Sequence, residues 1–542
     1  MKSSSKKGLN SGAKKRITRR ELLKYAAVAG PFLHAGLKAT SQSLPVRNVI
    51  VFLTDQERAI QHFPEGWESE NLPGLTRLRQ NGVSFESAFT NSCMCSPARS
   101  TLMSGYFPAQ HGVKYTLEDN MILPEKNPQF PLPVNLPNIA TVMAASGFNT
   151  VYKGKWHCSK SLPGTPFVPA DLAKYGFLRW NPPDAGANQD PSQAGGGQTV
   201  LKDDLPNDQR IMFGARYDQE GAIEFLNSDL ARQRPFFLVV SLVNPHDVLA
   251  YPLTYKMPQP KGFGYHKPIL EGNIDVPATI HENLFTKPIV QKQWRDLSIL
   301  GLGALDSLDD QLNYLNFYGN LMKASDNYLM QLLDTLTDQS MLENTLIIRT
   351  ADHGEMGLTH SGQRQKNFNF YEESTRVPLV YSNPILYKQP LTSNAIVSHV
   401  DFLPTIASLF NAPLKARAPW QGIDYSELVL NPSSSPVQDY TVFTYDDFQS
   451  GQLDPPYPGE GPLEAPNHIV SIREDRYKLA EYYKPDNSVQ AIFEMYDRLT
   501  DPLEMQNLTA EGFHRSLEQE QQFLRLQAKL AAVQAKRLQP LS

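Results

Sequence analysis

The stretch RNVIVFLTDQ, residues 47–56, holds an unbroken apolar run from Val49 to Leu53 and stops on Asp55 and Gln56. Such a run, without polar alternation, reads as a parallel strand buried on both faces. Three further stretches share this form. GFNTVYKGKWH (147–157) ends in Lys155 and His157, PFFLVVSLVNPHD (235–247) leads into His246, and NTLIIRTADHG (344–354) ends in Asp352 and His353. In open α/β sheets ligands bind outside the carboxyl ends of the strands. Four strands delivering carboxylates, lysine and imidazoles to one edge therefore predict a site there.

Between these strands, LPGLTRLRQNGV (72–83), LPNIATVMAASG (136–147), GAIEFLNSDLAR (221–232) and the stretch from about Leu308 to Leu342 carry apolar residues at helical spacing. The alternation predicts an α/β fold with a large, mostly parallel mixed sheet flanked by helices. Beyond about residue 430, SIREDRYKLAEYY (471–483) and AIFEMYDRLTDP (491–502) read as antiparallel strands. A polar helix follows from Ser516 to about Lys536. The organisation expected is a segment 1–43, a catalytic α/β domain 44–430 and a smaller C-terminal α+β subdomain 431–542. Residues 158–210 and 449–466, rich in Pro, Gly and Gln, read as long loops that shape access to the edge.

Residues 1–43 carry ten Lys/Arg and a single Glu, +9 in a chain of −5, which leaves the remainder at −14. TRRELLK (18–24) before a weakly apolar stretch resembles a twin-arginine export signal, with Arg19 and Arg20 as the pair and cleavage near residues 39–43. This reading replaces a nucleic-acid-binding tail, so no nucleic-acid partner is expected. Lys24, Pro31 and His34 interrupt the apolar segment too often for a membrane span. Export to the periplasm or beyond, already folded and through the twin-arginine machinery, is the expectation. Three cysteines, Cys93, Cys95 and Cys158, exclude a disulfide framework but leave one Cys93–Cys158 bridge open.

NSCMCSPARSTLMSG, residues 91–105, joins this edge chemically. Pro97 suits the first helical position and Gly105 the stop, which puts Cys95 just before a helix N-terminus. Exposed N–H groups and partial positive charge there suit an anion, and Arg99 lies one turn on with a fork that fits a tetrahedral oxyanion. A thiol, however, is a poor ligand for the hard cation that Asp55 and Asp352 imply.

Cys95-Ser96-Pro97-Ala98-Arg99 resembles the Cys-x-Pro-x-Arg signature of the type I sulfatases of the alkaline phosphatase superfamily. In that family the cysteine is oxidised to formylglycine before folding. GKWH (154–157), PFFLVVSLVNPHD, TADHGE (350–355), YEESTRVPLV (371–380), SHVDFLPTIASLF (398–410) and FEMYDRLTDPLEMQNL (493–508) follow in the family's order. The resemblance implies a metal site of Asp55, Gln56, modified Cys95, Asp352 and His353. Gln56 stands where many members have a second Asp, and His353 where many have Asn. The cation implied is calcium, with magnesium and manganese as alternatives. Arg99 and Lys155 would hold the nucleophile and the sulfate, His157 would assist release of sulfate, and His246 and Lys366 would face the leaving alcohol. In many members the lysine stands nine residues before the Arg of RVP; here Lys366 stands ten before Arg376. Cys93 has no such role and reads as a small buried residue.

The expected activity is that of an arylsulfatase-like hydrolase acting on a small-molecule or carbohydrate sulfate ester, matured by a formylglycine-generating enzyme. The alternative within the superfamily is a phosphonate monoester or phosphodiester hydrolase, where the Asp-Gln and Asp-His pairs also occur. A non-catalytic anion-binding protein is disfavoured by the full set of acid–base residues. A Cys-x-Cys metal-transfer site is disfavoured by the lack of nearby Cys or His at ligand spacing.

Overall fold

The computed structural model describes residues 44–59, 61–117, 130–161, 165–186, 190–197, 205–215, 219–447 and 463–541. Residues 1–43, read above as an export signal, and most of the loop 449–466 lie outside them.

Nine strands build the main body: β1 (Asn48–Asp55), β2 (Gly82–Phe85), β3 (Ala88–Phe89), β4 (Asn149–Gly154), β5 (Phe236–Pro245), β6 (Thr345–Ala351), β7 (Leu379–Ser382), β8 (Leu391–Ser393) and β9 (Val397–Ser398). Seven form one sheet in the order β4-β5-β1-β6-β7-β2-β8, and β3 pairs with β9 apart from it. Strands β4, β5, β1 and β6 are mutually parallel neighbours. Strand β7 runs antiparallel to both β6 and β2. The four strands singled out by their polar ends are thus contiguous, so their carboxyl ends lie side by side, about 5 Å apart per strand.

Every residue of β1 is buried. Val49, Val51 and Leu53 enter the core on one face, and Ile50 and Phe52 the core on the other. The second face is covered by α1 (Pro73–Gln80), α4 (Ala222–Asn227) and the long α6 (Leu308–Asp338). The first is covered by α2 (Cys95–Ser104), α3 (Ile139–Ala145) and α7 (His399–Leu409). The expected helix over 221–232 is broken at Ser228, whose extended backbone ends α4. Its hydroxyl accepts from Ala231 N and caps a new short helix, Asp229–Gln233.

The C-terminal part forms a four-stranded antiparallel sheet, β10 (Tyr440–Tyr445), β11 (His468–Glu474), β12 (Tyr477–Tyr483) and β13 (Ile492–Asp497). One face carries α8 (Leu517–Arg537) through Leu526, Leu530 and Val533. The other packs Phe443, Tyr445, Ile469 and Tyr482 against Cys93 and Met94, immediately before α2, and against Phe368, Phe370 and Tyr371. The small sheet therefore supports the segment that presents Cys95. Helix α5 (Ile289–Leu302) lends Trp294 to the same core.

Strand β4 ends at Gly154 with φ +100°, where a Cβ would meet the Ser241 carbonyl oxygen at 2.0 Å. This close approach lets Lys155 N donate to Ser241 O at 3.0 Å and turns the chain toward the edge. Gly154→Ala is expected to destabilise the protein by about 2–5 kcal/mol, from positive-φ strain plus overpacking. Denaturant unfolding checks this. A loss within 0.5 kcal/mol would mean that β4 can shift without disturbing the edge.

Candidate active site

The edge is assembled around Arg99. From α2, its Nε donates to Asp352 Oδ2 at 2.8 Å, Nη2 to Asp55 Oδ2 at 2.9 Å, and Nη1 to Lys155 O and Ser241 Oγ, each at 2.8 Å. Lys155 Nζ lies 2.6 Å from Asp55 Oδ2 and also reaches the Gly186 carbonyl. Asp55, Arg99 and Asp352 have no solvent exposure. Burial alone would raise the Asp55 carboxyl, but the charges of Lys155 and Arg99 outweigh it and hold the group well below the usual carboxylate range. Asp352 goes the other way, to about 6, because burial and the charge on Asp55 both disfavour its ionised form.

Helix α2 begins at Cys95 itself, with Met94 as its extended N-cap, not at Pro97 as the sequence suggests. Proline is tolerated anywhere in the first turn, where the N–H has no intrahelical partner. The Ala98 N–H donates to Met94 O, and Gly105 ends the helix with φ 72°. Cys95 is 2% exposed. Its Sγ lies 3.1 Å from His353 Nε2 and 3.8 Å from Asp55 Oδ1.

His353 Nδ1 faces Gly354 O at 3.0 Å, which puts the ring proton on Nδ1 and leaves the Nε2 lone pair toward Cys95. Burial lowers the ring to about 4, so it stays neutral. Nε2 is 3.6 Å from Asp352 Oδ1 and 3.8 Å from Asp55 Oδ1. Donor atoms of Asp55, Cys95, Asp352 and His353 all lie within 4.8 Å of one another. Two carboxylates and an unprotonated imidazole nitrogen, held by an outer hydrogen bond, fit a divalent cation.

Gln56 follows with φ 67°; its Oε1 is 2.6 Å from Lys366 Nζ. Lys366 therefore reaches the cluster despite its spacing from Arg376. His157 Nε2 lies 2.6 Å from Leu117 O, which places the proton on Nε2 and leaves Nδ1 buried with no partner among the described residues. Burial, with Lys155 and Arg99 nearby, holds this ring neutral. His246 lies in the field of Lys155, Asp55, Lys366 and His353, and burial and Lys155 hold it neutral too. All ten residues singled out from sequence converge on one edge.

Three contributors were not among the residues singled out from sequence. Ser241 sits within the apolar run of β5. Asp184, in the NPPDAG stretch read only as loop, accepts from Trp156 N and from His157 N. Glu355 contacts Gln56 through Oε2. The loop 158–210 is accordingly built into the site at Asp184 and Gly186, although no regular element was expected there, and it contains the short helix Pro169–Ala173 and the start of another, Asn207–Phe213. The open question of a Cys93–Cys158 bridge is answered in the negative, since all three cysteines are free. Cys93 Sγ donates to Lys366 O at 3.0 Å and Cys158 Sγ to Trp156 O at 3.3 Å. Burial pushes the Cys158 thiol up to about 12 and that of Cys93 higher, so neither is a nucleophile near neutrality.

Comparison with known proteins places this site in context. A family model described as sulfatase matches residues 47–412, and one described as N-sulphoglucosamine sulphohydrolase, C-terminal, matches residues 361–536. The chain is 24% identical over 479 residues to an ulvan-active sulfatase of Formosa agariphila, covering 87% of this chain and 79% of that protein. The solved structure of a 2-O GAG sulfatase superposes with a TM-score of 0.66 at 19% identity, covering 91% of this chain and 92% of the other. A phosphonate monoester hydrolase from Silicibacter pomeroyi superposes with a TM-score of 0.61 at 17% identity, covering 92% and 96%.

Chelator-treated protein is expected to gain thermal stability when calcium is restored, by about 2.7 kcal/mol at a hundredfold excess over Kd. Asp352→Asn should remove most of this gain. A melting temperature unmoved by calcium, magnesium or manganese would exclude a cation from the cluster.

Proposed function

The chain belongs to the sulfatase family and is a sulfuric ester hydrolase, and from that premise we propose that it releases inorganic sulfate from a small-molecule or carbohydrate sulfate ester with oxidised Cys95 as nucleophile. The observation that carries this reading is the position of Cys95: first residue of α2, 3.1 Å from His353 Nε2 and inside the cluster of Asp55 and Asp352. As formylglycine hydrate beside one divalent cation, calcium first among the choices, residue 95 would supply a hydroxyl that attacks sulfur and a second that later releases sulfate. Asp55, Gln56, Asp352 and His353 would hold the cation.

The other residues take roles that follow from their surroundings. Arg99 and Lys155 offset the negative charge of the sulfuryl group in a water-poor setting, where such charges act strongly. His157, with its free lone pair on Nδ1, is the proton acceptor for the release step. His246 and Lys366 stand on the leaving side. An anionic ester entering beside Lys155 raises the proton affinity of His246, which lets it protonate the departing oxygen. The relatives named as acting on ulvan or as a GAG sulfatase support a carbohydrate substrate for this chain. Residues 1–43 are proposed as a twin-arginine-type signal for export of the folded enzyme, ahead of a catalytic domain to about residue 430 and a subdomain to residue 542.

Mass spectrometry of the peptide containing Cys95, from a host with the modifying enzyme, should show the aldehyde, and aryl sulfate should be turned over faster than aryl phosphodiester or phosphonate monoester. Unmodified cysteine in fully active protein would end the formylglycine reading. Preference for the phosphorus esters would move the enzyme to the other branch of the superfamily.

His246→Ala is expected to slow hydrolysis of an alkyl sulfate by about 10²–10⁴-fold while affecting an activated nitrophenyl sulfate far less. Steady-state kinetics on the two esters decide this. Equal losses would assign His246 to sulfate binding and the acid role to Lys366.

A further inference from the structure

Glu355 is a buried carboxylate with no part in the steps above. It has no solvent exposure and, among the described residues, no ion-pair partner. It is also not among the four residues whose donor atoms cluster for a cation. Neutral donors satisfy it instead. Its Oε1 accepts from Tyr314 OH at 2.7 Å, Gln365 N at 2.9 Å and Gly357 N at 3.1 Å. Its Oε2 accepts from Gln56 Nε2 at 2.5 Å.

Gln56 is thereby wedged between opposites. An ammonium only donates and a carboxylate only accepts. Lys366 Nζ lies 2.6 Å from Oε1 and the Glu355 carboxylate faces Nε2. A flipped amide would set NH2 against NH3+ and oxygen against oxygen. The backbone of Gln56 is fixed as well: its N–H donates to Asp352 Oδ1 at 3.0 Å, and its carbonyl accepts from Tyr318 OH at 2.9 Å. Only the amide plane remains to be set.

We propose that Glu355 is a positioning residue that locks the Gln56 amide with its oxygen toward Lys366 and the cation cluster, and so makes a neutral side chain serve where a carboxylate would otherwise be needed. The same carboxylate pins the Gln365 peptide and with it the stem of Lys366. The inference rests on the cation reading proposed above.

Glu355→Gln tests it with little change in shape. The three donors on Oε1 claim the one carbonyl oxygen of the new amide, which turns its NH2 toward Gln56. Gln56 is then left with NH2 facing NH2, or flips and sets its NH2 against Lys366, and in either case its oxygen is no longer held in place. The calcium Kd of chelator-treated protein, measured by calorimetry, is expected to weaken about 10–100-fold, as for other outer-shell partners of metal ligands. Gln56→Glu alone sets two carboxylates edge to edge and is also expected to weaken binding. The double variant Gln56→Glu with Glu355→Gln, in which the new carboxylate accepts from the new amide, should return to within about threefold of wild type, a sign reversal typical of coupled contacts. If charge alone mattered, Gln56→Glu would tighten binding and the two changes would combine additively; either result overturns the proposal. The single variant Gln56→Glu decides the matter even if Glu355→Gln fails to fold, because tighter binding in it suffices to refute the lock. Wild-type protein that takes up no divalent cation overturns the cation reading and this inference with it, whereas cation uptake with additive effects overturns this inference alone.

Discussion

The guanidinium of Arg99 joins the ends of four parallel strands. It reaches Asp55 at the end of β1, Lys155 just past β4, Ser241 on β5 and Asp352 just past β6, all from the first turns of α2. A cation removed from water costs several kcal/mol unless its hydrogen bonds are met, and breaking such a set by losing one partner is more damaging than never having built it. Helix α2 therefore docks only on a sheet whose four strand ends are already in register. Lysine could not serve here. Its three donors sit on a flexible stem and carry no planar fork to span two carboxylates, a carbonyl and a hydroxyl together.

Around this contact the other charges fall into place by consequence. Lys155 shares Asp55 with Arg99, so that carboxylate stays ionised while Asp352, weighed down by its neighbour's charge, is the more easily protonated of the two. Imidazoles brought into the same field are kept neutral by burial and by the lysines. Their usable nitrogens are chosen by backbone carbonyls: Leu117 O for His157 and Gly354 O for His353.

The parts of this arrangement that sequence makes legible are those with a period or an order. An apolar run such as Val49–Leu53 can only be a doubly buried strand, and its abrupt polar end marks the edge at which it stops. Nine of the ten site residues could be named because each stands at such an end or within a motif met in fixed succession, and Lys366 from its spacing to Arg376. What sequence hides is whatever depends on a long-range partner. Strand β10 (YTVFTY) is β-branched and aromatic throughout and so legible as a strand, but its place beside β11 is not. Ser241 is one hydroxyl in an apolar run. Asp184 lies among Pro, Gly and Gln, yet its carboxylate secures two peptide N–H groups beside His157. Glu355 looks like any acidic residue after the Asp-His pair until Gln56 is seen against it. The start of α2 was displaced for a simpler reason, since proline marks a first turn without fixing which residue of that turn it occupies.

The burial of Cys95, at 2% exposure at the start of α2 and just after Cys93 and Met94 pack on the second sheet, has a consequence for the life history of the chain. In the folded molecule the whole segment 91–105 is buried and offers no extended peptide for a modifying enzyme to grip. Any catalyst that oxidises Cys95 must meet the segment 91–105 while that segment is still extended, on a nascent or unfolded polypeptide. If residue 95 is oxidised as proposed, maturation has a fixed calendar, with oxidation first and docking of α2 second. For a chain that leaves the cytoplasm folded, as proposed for this one, translocation comes third. On the proposed mechanism, a molecule that folds before it is oxidised is sealed in an inactive form, and only unfolding can give it a second chance.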